Sequence, residues 1–253
     1  MQPTLAQNPA ISVRGVSFGY GGNAPTVLKD TSIDIEKGEF VSIVGPSGCG
    51  KSTLLYLIGG FVPLAEGVID IKGRPVSGPS PDCGIVFQQF ALFPWKTVLG
   101  NVLYGLEKAR KLNAAERLER ARELIRLVQL EDFESSYPTQ LSGGMRQRAA
   151  IARTLAVDPD ILLMDEPFGA LDAQTRSVMQ RELRDIWMRT KKTVVFVTHD
   201  VREAVYLSER IVVLGRRPAR IKAVVETRFE KQGELDAGEE FDSSVRRIWN
   251  LVR

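Results

Sequence analysis

Cysteine, histidine and long apolar runs are scarce in this sequence, and each scarcity excludes a class of protein. Among its 253 residues are two cysteines, Cys49 and Cys83, and one histidine, His199. Two cysteines in such different surroundings indicate neither a disulfide framework nor a metal cluster, so we expect both to be free thiols. No apolar run reaches the roughly 18 residues of a membrane-spanning helix, and residues 1–10 lack a charged and then apolar leader. These absences predict a cytosolic protein.

An excess of charge of one sign is also missing. The 34 Lys and Arg residues nearly balance the 31 Asp and Glu residues, which leaves a formal net charge of +3. Basic residues occur only in short groups such as Arg216-Arg217, so nucleic acid is not an expected partner. A hydrophobic content of 43% is enough to bury the interior of one α/β domain, or of a core with a subdomain.

The sequence does contain a phosphate-binding loop, between an apolar run, 40–44, and a helical-looking run, 53–58. Its residues are Gly45, Pro46, Ser47, Gly48, Cys49, Gly50, Lys51 and Ser52. The glycines let the backbone curl so that several N–H groups point inward, and the following helix adds its positive N-terminal end. Lys51 can then reach the outer phosphates, and Ser52 can offer its hydroxyl to Mg²⁺. The loop, with which we count Thr53, predicts a nucleoside triphosphate as the ligand.

Polar residues follow three predicted core strands at their carboxyl ends. They are Gln88 after the strand 85–87, Asp165 and Glu166 after the strand 161–164, and His199 after the strand 194–197. In an open α/β sheet the ligand crevice lies at this end of the strands. Asp165 is placed to hold Mg²⁺, and Glu166 to orient or deprotonate water. His199 converges on the same crevice, whereas Gln88 either reaches the ligand or hydrogen-bonds the following loop.

Helical periodicity is concentrated in the region from about 90 to 158, which lies between strands of the nucleotide core. We interpret this region as an inserted subdomain. The predicted helices run over 113–130, with a cap at Asn113 and Glu116, over 142–156 and over 175–189, with a last one over 241–252 that packs back onto the protein. Other strands are predicted at 11–18, 27–36, 68–71, 211–214 and 220–225.

Two aromatic features have two interpretations each. Tyr20, at the end of a strand, either stacks on a base as an exposed ring or packs in a turn. The connection 90–95 reads Phe-Ala-Leu-Phe-Pro-Trp, which forms either a small core or an exposed docking surface.

The segment Leu141-Ser142-Gly143-Gly144-Met145 completes the set of motifs, and with it the chain closely resembles the ATP-binding subunit of ABC transporters. The match runs from about residue 13 to residue 214. The resemblance implies an α/β fold, in which the P-loop NTPase core of ABC ATPases has a parallel sheet, an antiparallel β subdomain and an inserted helical subdomain. It implies a single nucleotide-binding domain over 1–253. Its parts are an ATPase core at about 11–89 and 160–225, a helical subdomain at about 90–159 and a C-terminal extension at about 226–253.

The resemblance also implies ATP and Mg²⁺ as ligands and gives single residues their roles. These are Tyr20 as the adenine-stacking ring, Gln88 as the coupling glutamine beside the metal and in catalysis, Ser52 and Asp165 as metal ligands, Glu166 as the catalytic carboxylate, and His199 as the switch histidine that senses the γ-phosphate.

A second copy of the chain is the first partner that the resemblance implies. In the family, the phosphate loop of one protomer is closed by the signature segment of the other, here Ser142 to Gly144, and Asp172 lies in the dimer loop. Met145 stands where the family usually has glutamine. Ser142 and the amides of the two glycines remain, at a helix N-terminus that can take phosphate.

The segments 87–95 and 217–221, together with Met145 and the chain length, look like the nitrate/sulfonate/taurine importer subfamily. This implies two copies at the cytoplasmic face of the inner membrane, bound to two membrane-spanning permease subunits and supplied by a substrate-binding protein. The cargo would be a small anion such as nitrate, taurine or an aliphatic sulfonate. The alternatives are another cargo, a soluble ABC-type ATPase of translation or repair, and a nucleotide-dependent binding module. The soluble ATPase predicts tandem cassettes, a coiled coil or a basic surface, and the binding module predicts a damaged catalytic set; the sequence has neither.

Overall fold

The computed structural model describes residues 8–21, 25–107, 112–227 and 238–253. The chain divides into two compact units: a first unit, within 1–80 and 193–253, and a second unit, within 81–192. The subdomain limits expected at 90 and 159 stay a prediction. Part of the expected C-terminal extension, 228–237, lies outside the described residues.

Ten strands and seven α-helices occur in the described part of the chain. The strands are β1 (Ile11–Phe18), β2 (Leu28–Ile35), β3 (Phe40–Val44), β4 (Glu66–Ile71), β5 (Arg74–Pro75), β6 (Cys83–Val86), β7 (Ile161–Asp165), β8 (Thr193–Val197), β9 (Arg210–Leu214) and β10 (Ile221–Glu226). The helices are α1 (Lys51–Ile58), α2 (Val98–Leu106), α3 (Ala114–Leu127), α4 (Gly143–Ala156), α5 (Ala173–Thr190), α6 (Val201–Leu207) and α7 (Glu239–Val252). Within the described ranges, no helix is both long and apolar enough to cross a membrane.

Four strands of the first unit form an antiparallel sheet in the order β2-β1-β4-β5. Ile11 of β1 stands opposite Ile35 of β2 and Ile71 of β4, and all three side chains are buried. Along β2, exposed polar residues are interspersed with buried residues, as in a sheet with one face toward the core and one toward water. The expected antiparallel β subdomain is confirmed.

The first unit also contains β3, with β8 and β9 as parallel neighbours, and β10 antiparallel to β9. Both β3 and β8 are buried along their whole length, and helices α1, α6 and α7 pack against this group of strands. Parallel strands covered in this way carry continuous apolar runs, which is the pattern that predicted them. The last helix, α7, packs back through Phe241, Val245 and Ile248, as expected.

In the second unit, β6 and β7 are parallel neighbours, with Val86 opposite Met164. Helices α2 to α5 pack on one another, and α4 also packs on β6. Helix α3 begins with the expected capping box, in which the Asn113 side chain accepts hydrogen bonds from the backbone N–H groups of Ala115 and Glu116. Helices α4 and α5 begin and end within two residues of their predicted limits.

The connection 90–97 is not helical, although helical structure was expected from residue 90. Its backbone is held by the buried side chain of Asn101, whose amide donates to the carbonyl oxygens of Phe93, Lys96 and Thr97 at 2.9–3.2 Å. Only after this loop does α2 begin, with Thr97 as its N-cap. Hydrogen bonds from a side chain several residues away determine this segment, and such bonds leave no periodic signal in the sequence.

Candidate active site

The phosphate-binding loop lies in the first unit, between β3 and α1. Gly50 closes the loop with a φ of +117°, and a Cβ at this position would lie 2.7 Å from Val27 Cγ1. A Cβ on Gly45 would lie 2.8 Å from the carbonyl oxygen of Leu214. Because a side chain does not fit at either position, the shape of the loop requires these glycines before any ligand is considered.

Lys51 and Ser52 are the first two residues of α1, at the positive end of its aligned backbone dipoles. The Lys51 side chain is buried, and its Nζ donates to the carbonyl oxygens of Gly45 and Pro46, both at 3.1 Å. The ammonium group thus lies across the loop, where phosphate oxygens are stronger acceptors than the two carbonyls. This geometry suits an ammonium that turns outward when a triphosphate enters.

Cys49 is a buried thiol inside the loop. Burial raises its pKa, while Lys51 and nearby backbone N–H groups lower it in part. A protonated thiol in this place packs as a small apolar side chain. Both cysteines are free, as expected.

Tyr20 stands beside the start of α1. Its ring is 57% exposed and packs edge-on against Phe18, with ring centroids 5.0 Å apart. Its hydroxyl lies 3.0 Å from Thr53 Oγ1. More than half of Tyr20 is exposed beside the phosphate loop, and stacking on a base stays the prediction.

His199 follows β8, the parallel neighbour of β3, so it emerges from the same edge of the strands as the phosphate loop. The imidazole is exposed, and the backbone on both sides of it is fixed. Thr198 accepts from the N–H of Asp200 and donates to Glu203, and Asp200 caps α6 by accepting from the N–H groups of Arg202 and Glu203. These bonds hold the histidine at one place on the edge.

Gln88, Asp165 and Glu166 come together in the second unit. Asp165 is the buried last residue of β7, and Glu166 follows with a φ of +43°, a strained value for a residue with a side chain. A Cβ on Gly169 would lie 3.2 Å from Gln88 Nε2, and the N–H of Gly169 donates to the Glu166 carbonyl oxygen at 3.0 Å. The Gln88 side chain therefore lies over the turn that begins at Glu166.

The starts of α4 and α5, with Ser142 and Asp172, also lie side by side in the second unit. Ser142 is the N-cap of α4 and accepts from the N–H of Met145 at 3.3 Å, and Asp172 is the N-cap of α5 and accepts from the N–H of Thr175 at 3.0 Å. The hydrogen bonds from Thr175 lower the pKa of Asp172. A Cβ on Gly144 would lie 2.7 Å from Thr175 Cγ2, so the two helices meet at their first turns.

Each side chain predicted to hold a metal offers an oxygen atom: the Ser52 hydroxyl, the Asp165 carboxylate and the Gln88 amide carbonyl. Oxygen ligands are what Mg²⁺ prefers, and it usually keeps waters and takes phosphate oxygens besides one or two protein ligands. Among the residues that the structure describes, no group of three or more His, Cys, Asp or Glu side chains could hold a metal ion. The donor types fit an ion that arrives with the nucleotide.

The aromatic segment 90–95 forms a surface cluster. Trp95 is 70% exposed, so a core role is wrong for this residue, while Phe93 is half-buried against Trp95 and Tyr104 at centroid distances of 5.5 and 4.7 Å. Arg153 of α4 donates to the Ala91 carbonyl oxygen at 2.7 Å and lies over the Phe93 ring. No sequence motif marks this arginine.

The loop, the strand-end residues and the signature helix together define an ATP-binding cassette. A family profile described as ABC transporter matches residues 28–169, and the chain belongs to this family. A solved dimer of an ATP-binding cassette, in a post-hydrolysis state with ADP and Pi, superposes with a TM-score of 0.74 at 36% identity, over 87% of this chain and 99% of that one. The predicted fold class is confirmed.

Three relatives of known sequence indicate the subfamily within the ABC transporter family. An uncharacterized ABC transporter ATP-binding protein of Methanocaldococcus jannaschii is 50% identical over 236 residues, 93% of this chain and 88% of the relative. A taurine import ATP-binding protein of Rhizobium johnstonii is 49% identical over 211 residues, 83% and 80% of the two chains. An aliphatic sulfonates import ATP-binding protein of Bacillus cereus is 47% identical over 218 residues, 85% of each. The resemblance to this subfamily of ATP-binding subunits is confirmed.

Proposed function

We propose that this protein is the ATP-hydrolysing subunit of an importer for small sulfonates, with taurine or an aliphatic sulfonate as the cargo. The observation that carries this proposal is the identity of 49% and 47% with two import ATP-binding proteins named for these cargoes. Nitrate, which the sequence resemblance also implies, is the third cargo to test.

Each motif has a proposed part in hydrolysis. ATP phosphates bind backbone N–H groups of Gly45 and of residues 47–53 and draw the Lys51 ammonium away from the loop carbonyls, while adenine stacks on Tyr20. Glu166 orients the attacking water and accepts its proton, and His199 contacts the γ-phosphate. The exposed ring of Tyr20 and the fixed backbone around His199 support these roles.

Ser52, Asp165 and Gln88 would hold the Mg²⁺ ion. When bound, this ion neutralises charge that develops on the phosphate oxygens during transfer. Asp165 is buried at the end of β7, and Gln88 lies over the turn that follows. We propose that Gln88 thereby couples the conformation of this turn to that of the aromatic segment 90–95, which follows it in the chain.

Two copies act together in the proposed enzyme. Ser142, Gly143 and Gly144 of one protomer close the phosphate loop of the other, and Asp172 belongs to the same contact. The exposed N-cap Ser142, at the start of a 14-residue helix, supports a role in binding phosphate. The solved dimer of a related cassette, with ADP and Pi, supports the paired arrangement.

The aromatic cluster around Trp95 is the proposed contact for a permease subunit. A 70% exposed tryptophan on a surface of further aromatic rings fits a short apolar helix from a membrane subunit. Two permease subunits and a substrate-binding protein complete the proposed importer. The protein would then be peripheral, at the cytoplasmic face of the inner membrane.

Growth and uptake of a deletion strain test the cargo. We expect the strain to lose growth on taurine or an aliphatic sulfonate as the sole sulfur source, to lose uptake of the labelled compound, and to grow normally on sulfate. The wild-type gene should restore both, and the Glu166→Gln gene should restore neither, because the variant protein assembles without turnover.

Two outcomes would change the proposal. Loss of growth on nitrate alone would assign nitrate as the cargo. If growth and uptake of the deletion strain are unchanged with all three anions, and the strain is instead defective in translation or repair, a soluble ABC-type ATPase would be favoured.

A further inference from the structure

Helices α4 and α5 meet first at the signature glycines. A Cβ on Gly143 would lie 3.0 Å from Leu171 Cδ2, and one on Gly144 would lie 2.7 Å from Thr175 Cγ2. The absence of a side chain at Gly144 lets the first turns of the helices touch, and at Gly143 it lets α4 approach Leu171, just before α5. A single contact of this kind fixes the distance between two helices, but it leaves them able to pivot.

A second contact between the same helices lies one turn further along α4. Arg148, four residues after Gly144, forms an ion pair with Glu182 of α5, with 3.5 Å between Nη1 and Oε1. Four residues of helix correspond to about 6 Å along its axis. The side chains are only 20% and 15% exposed, so neither charge is freely hydrated. Two separated contacts fix both the rotation and the sliding of α4 against α5.

Arg148 also reaches the end of a third helix. Its Nη1 donates to the carbonyl oxygens of Gln129, at 3.2 Å, and Val128, at 3.4 Å, just beyond the last residue of α3. One guanidinium group therefore joins α3, α4 and α5. The planar guanidinium group has several donors in a fixed geometry and can join three helices rigidly. Lysine, with a single ammonium group on a flexible stem, is a poor substitute here.

The pair is poorly arranged for stability alone. Glu182 Oε2 and Arg148 Nε are buried and have no hydrogen-bond partner in the structure, and burial raises the pKa of Glu182 despite the nearby Arg148. A cavity of about 20 Å³ next to Glu182, lined also by Val128, Gln129 and Asp185, has room for about one water molecule. Buried ion pairs of this kind often contribute little net stability and are kept where they define one arrangement.

We propose that Arg148 and Glu182 are positioning residues that set α4 against α5, so that Ser142 and Asp172 are presented to the partner protomer as one rigid surface. The inference rests on the proposed dimer, in which the first residues of both helices contact the partner. Loss of the pair should therefore affect the nucleotide bound to the partner's phosphate loop, which Ser142 and Asp172 contact in the proposed dimer. The phosphate loop of the same chain lies in the other unit and shares no residue with these helices.

A set of single variants tests the proposal. Glu182→Gln keeps the shape of the side chain and removes its charge, and Arg148→Lys keeps the charge and removes the forked guanidinium group. The exchanged double variant, Arg148→Glu with Glu182→Arg, restores an ion pair. Glu123→Gln is the matched control, because the Arg120–Glu123 pair lies in the same unit but is about half exposed on both sides. All variants are made in the full chain, with and without Glu166→Gln.

We expect a split between two measurements. The affinity for ADP, measured with a fluorescent analogue on the isolated protein, should change by less than about twofold in every variant. ATP-dependent dimer formation in the Glu166→Gln background, and ATP turnover without it, should fall at least tenfold for Glu182→Gln and Arg148→Lys. Glu123→Gln should match its parent, and the exchanged pair should recover part of the loss.

The possible results separate this inference from the proposed function. Normal dimer formation in Glu182→Gln and Arg148→Lys would overturn the positioning role and leave the proposed function standing. Loss of ADP binding together with dimer formation would mean that the pair supports the fold alone, which also overturns it. If Glu166→Gln itself forms no dimer with ATP, the composite site of the proposed function fails instead.

Discussion

The close contact between Gly144 and Thr175 leads to a prediction with a magnitude. In Gly144→Ala, the new Cβ would lie 2.7 Å from Thr175 Cγ2, whereas the next neighbours, on Met179, are at 3.7 Å or more. Relief of this one clash requires a shift of α4 or α5, and overpacking typically costs about 1–3 kcal/mol. Alanine regains up to about 1 kcal/mol through helix propensity. We expect a net loss of up to about 2 kcal/mol in the free energy of unfolding.

A second substitution supplies the matched test. Thr175→Ser removes the clashing methyl group and keeps the hydroxyl that hydrogen-bonds Asp172. Urea unfolding of the wild type, both single variants and the double variant gives the coupling energy of the two sites. We expect Thr175→Ser to restore both the stability and the ATP turnover lost in Gly144→Ala. A loss that the serine does not repair, or a coupling energy near zero between the two sites, would refute the packing argument.

Three further predictions follow from the site. Glu166→Gln should bind ATP and accumulate ATP-bound dimers while turnover falls by about 10²–10⁴-fold, because the proposed general base is lost; turnover near the wild-type rate would remove Glu166 from that role. Phe93→Ala with Trp95→Ala should leave the protein folded and able to bind ATP, since Trp95 is exposed and Phe93 is only half-buried, and should abolish copurification with permease subunits; unfolding, or normal assembly, would contradict the docking role. Burial raises the pKa of Glu182 above its usual 4.5, so the folded state holds this proton more tightly than the unfolded chain does. The stability that the protonated Glu182 side chain contributes to the folded state is therefore complete below pH 4.5 and is lost as the pH rises through the raised pKa. Urea unfolding between pH 4 and 7 should show that the free energy of unfolding of the wild type falls relative to that of Glu182→Gln. A constant difference between the two proteins would contradict a raised pKa at Glu182.

The parts of the fold that sequence patterns predicted are those governed by local rules. The buried run 40–44 and the loop up to Ser52 are fixed by apolar continuity and by glycines at positions where no side chain fits. The start of α3 follows from the reciprocal bonds of Asn113 and Glu116, which lie three residues apart. Such features depend on neighbours in the chain, and one sequence is enough to show them.

The parts that sequence patterns missed depend on specific side-chain contacts, some of them between residues far apart in the chain. The loop before α2 is held by Asn101, and Arg153 reaches Ala91 across 62 positions of the chain. The ion pair of Arg148 and Glu182 spans two helices, each of which shows only ordinary surface charge in its sequence. Spatial proximity of this kind follows from packing, which periodicity and motif spacing do not describe.

Hydrolysis in mixed dimers tests the central claim, a composite ATPase site, most directly. Ser142→Arg and Lys51→Ala each damage both sites of a dimer made of one variant. In a dimer that contains one protomer of each, isolated through two affinity tags, both lesions fall at one composite site and the other site is free of them. We expect the mixed dimer to hydrolyse ATP at a rate that neither variant reaches alone. A mixed dimer as inactive as its parents would mean that Ser142 serves the phosphate loop of its own chain, and the composite site would be wrong.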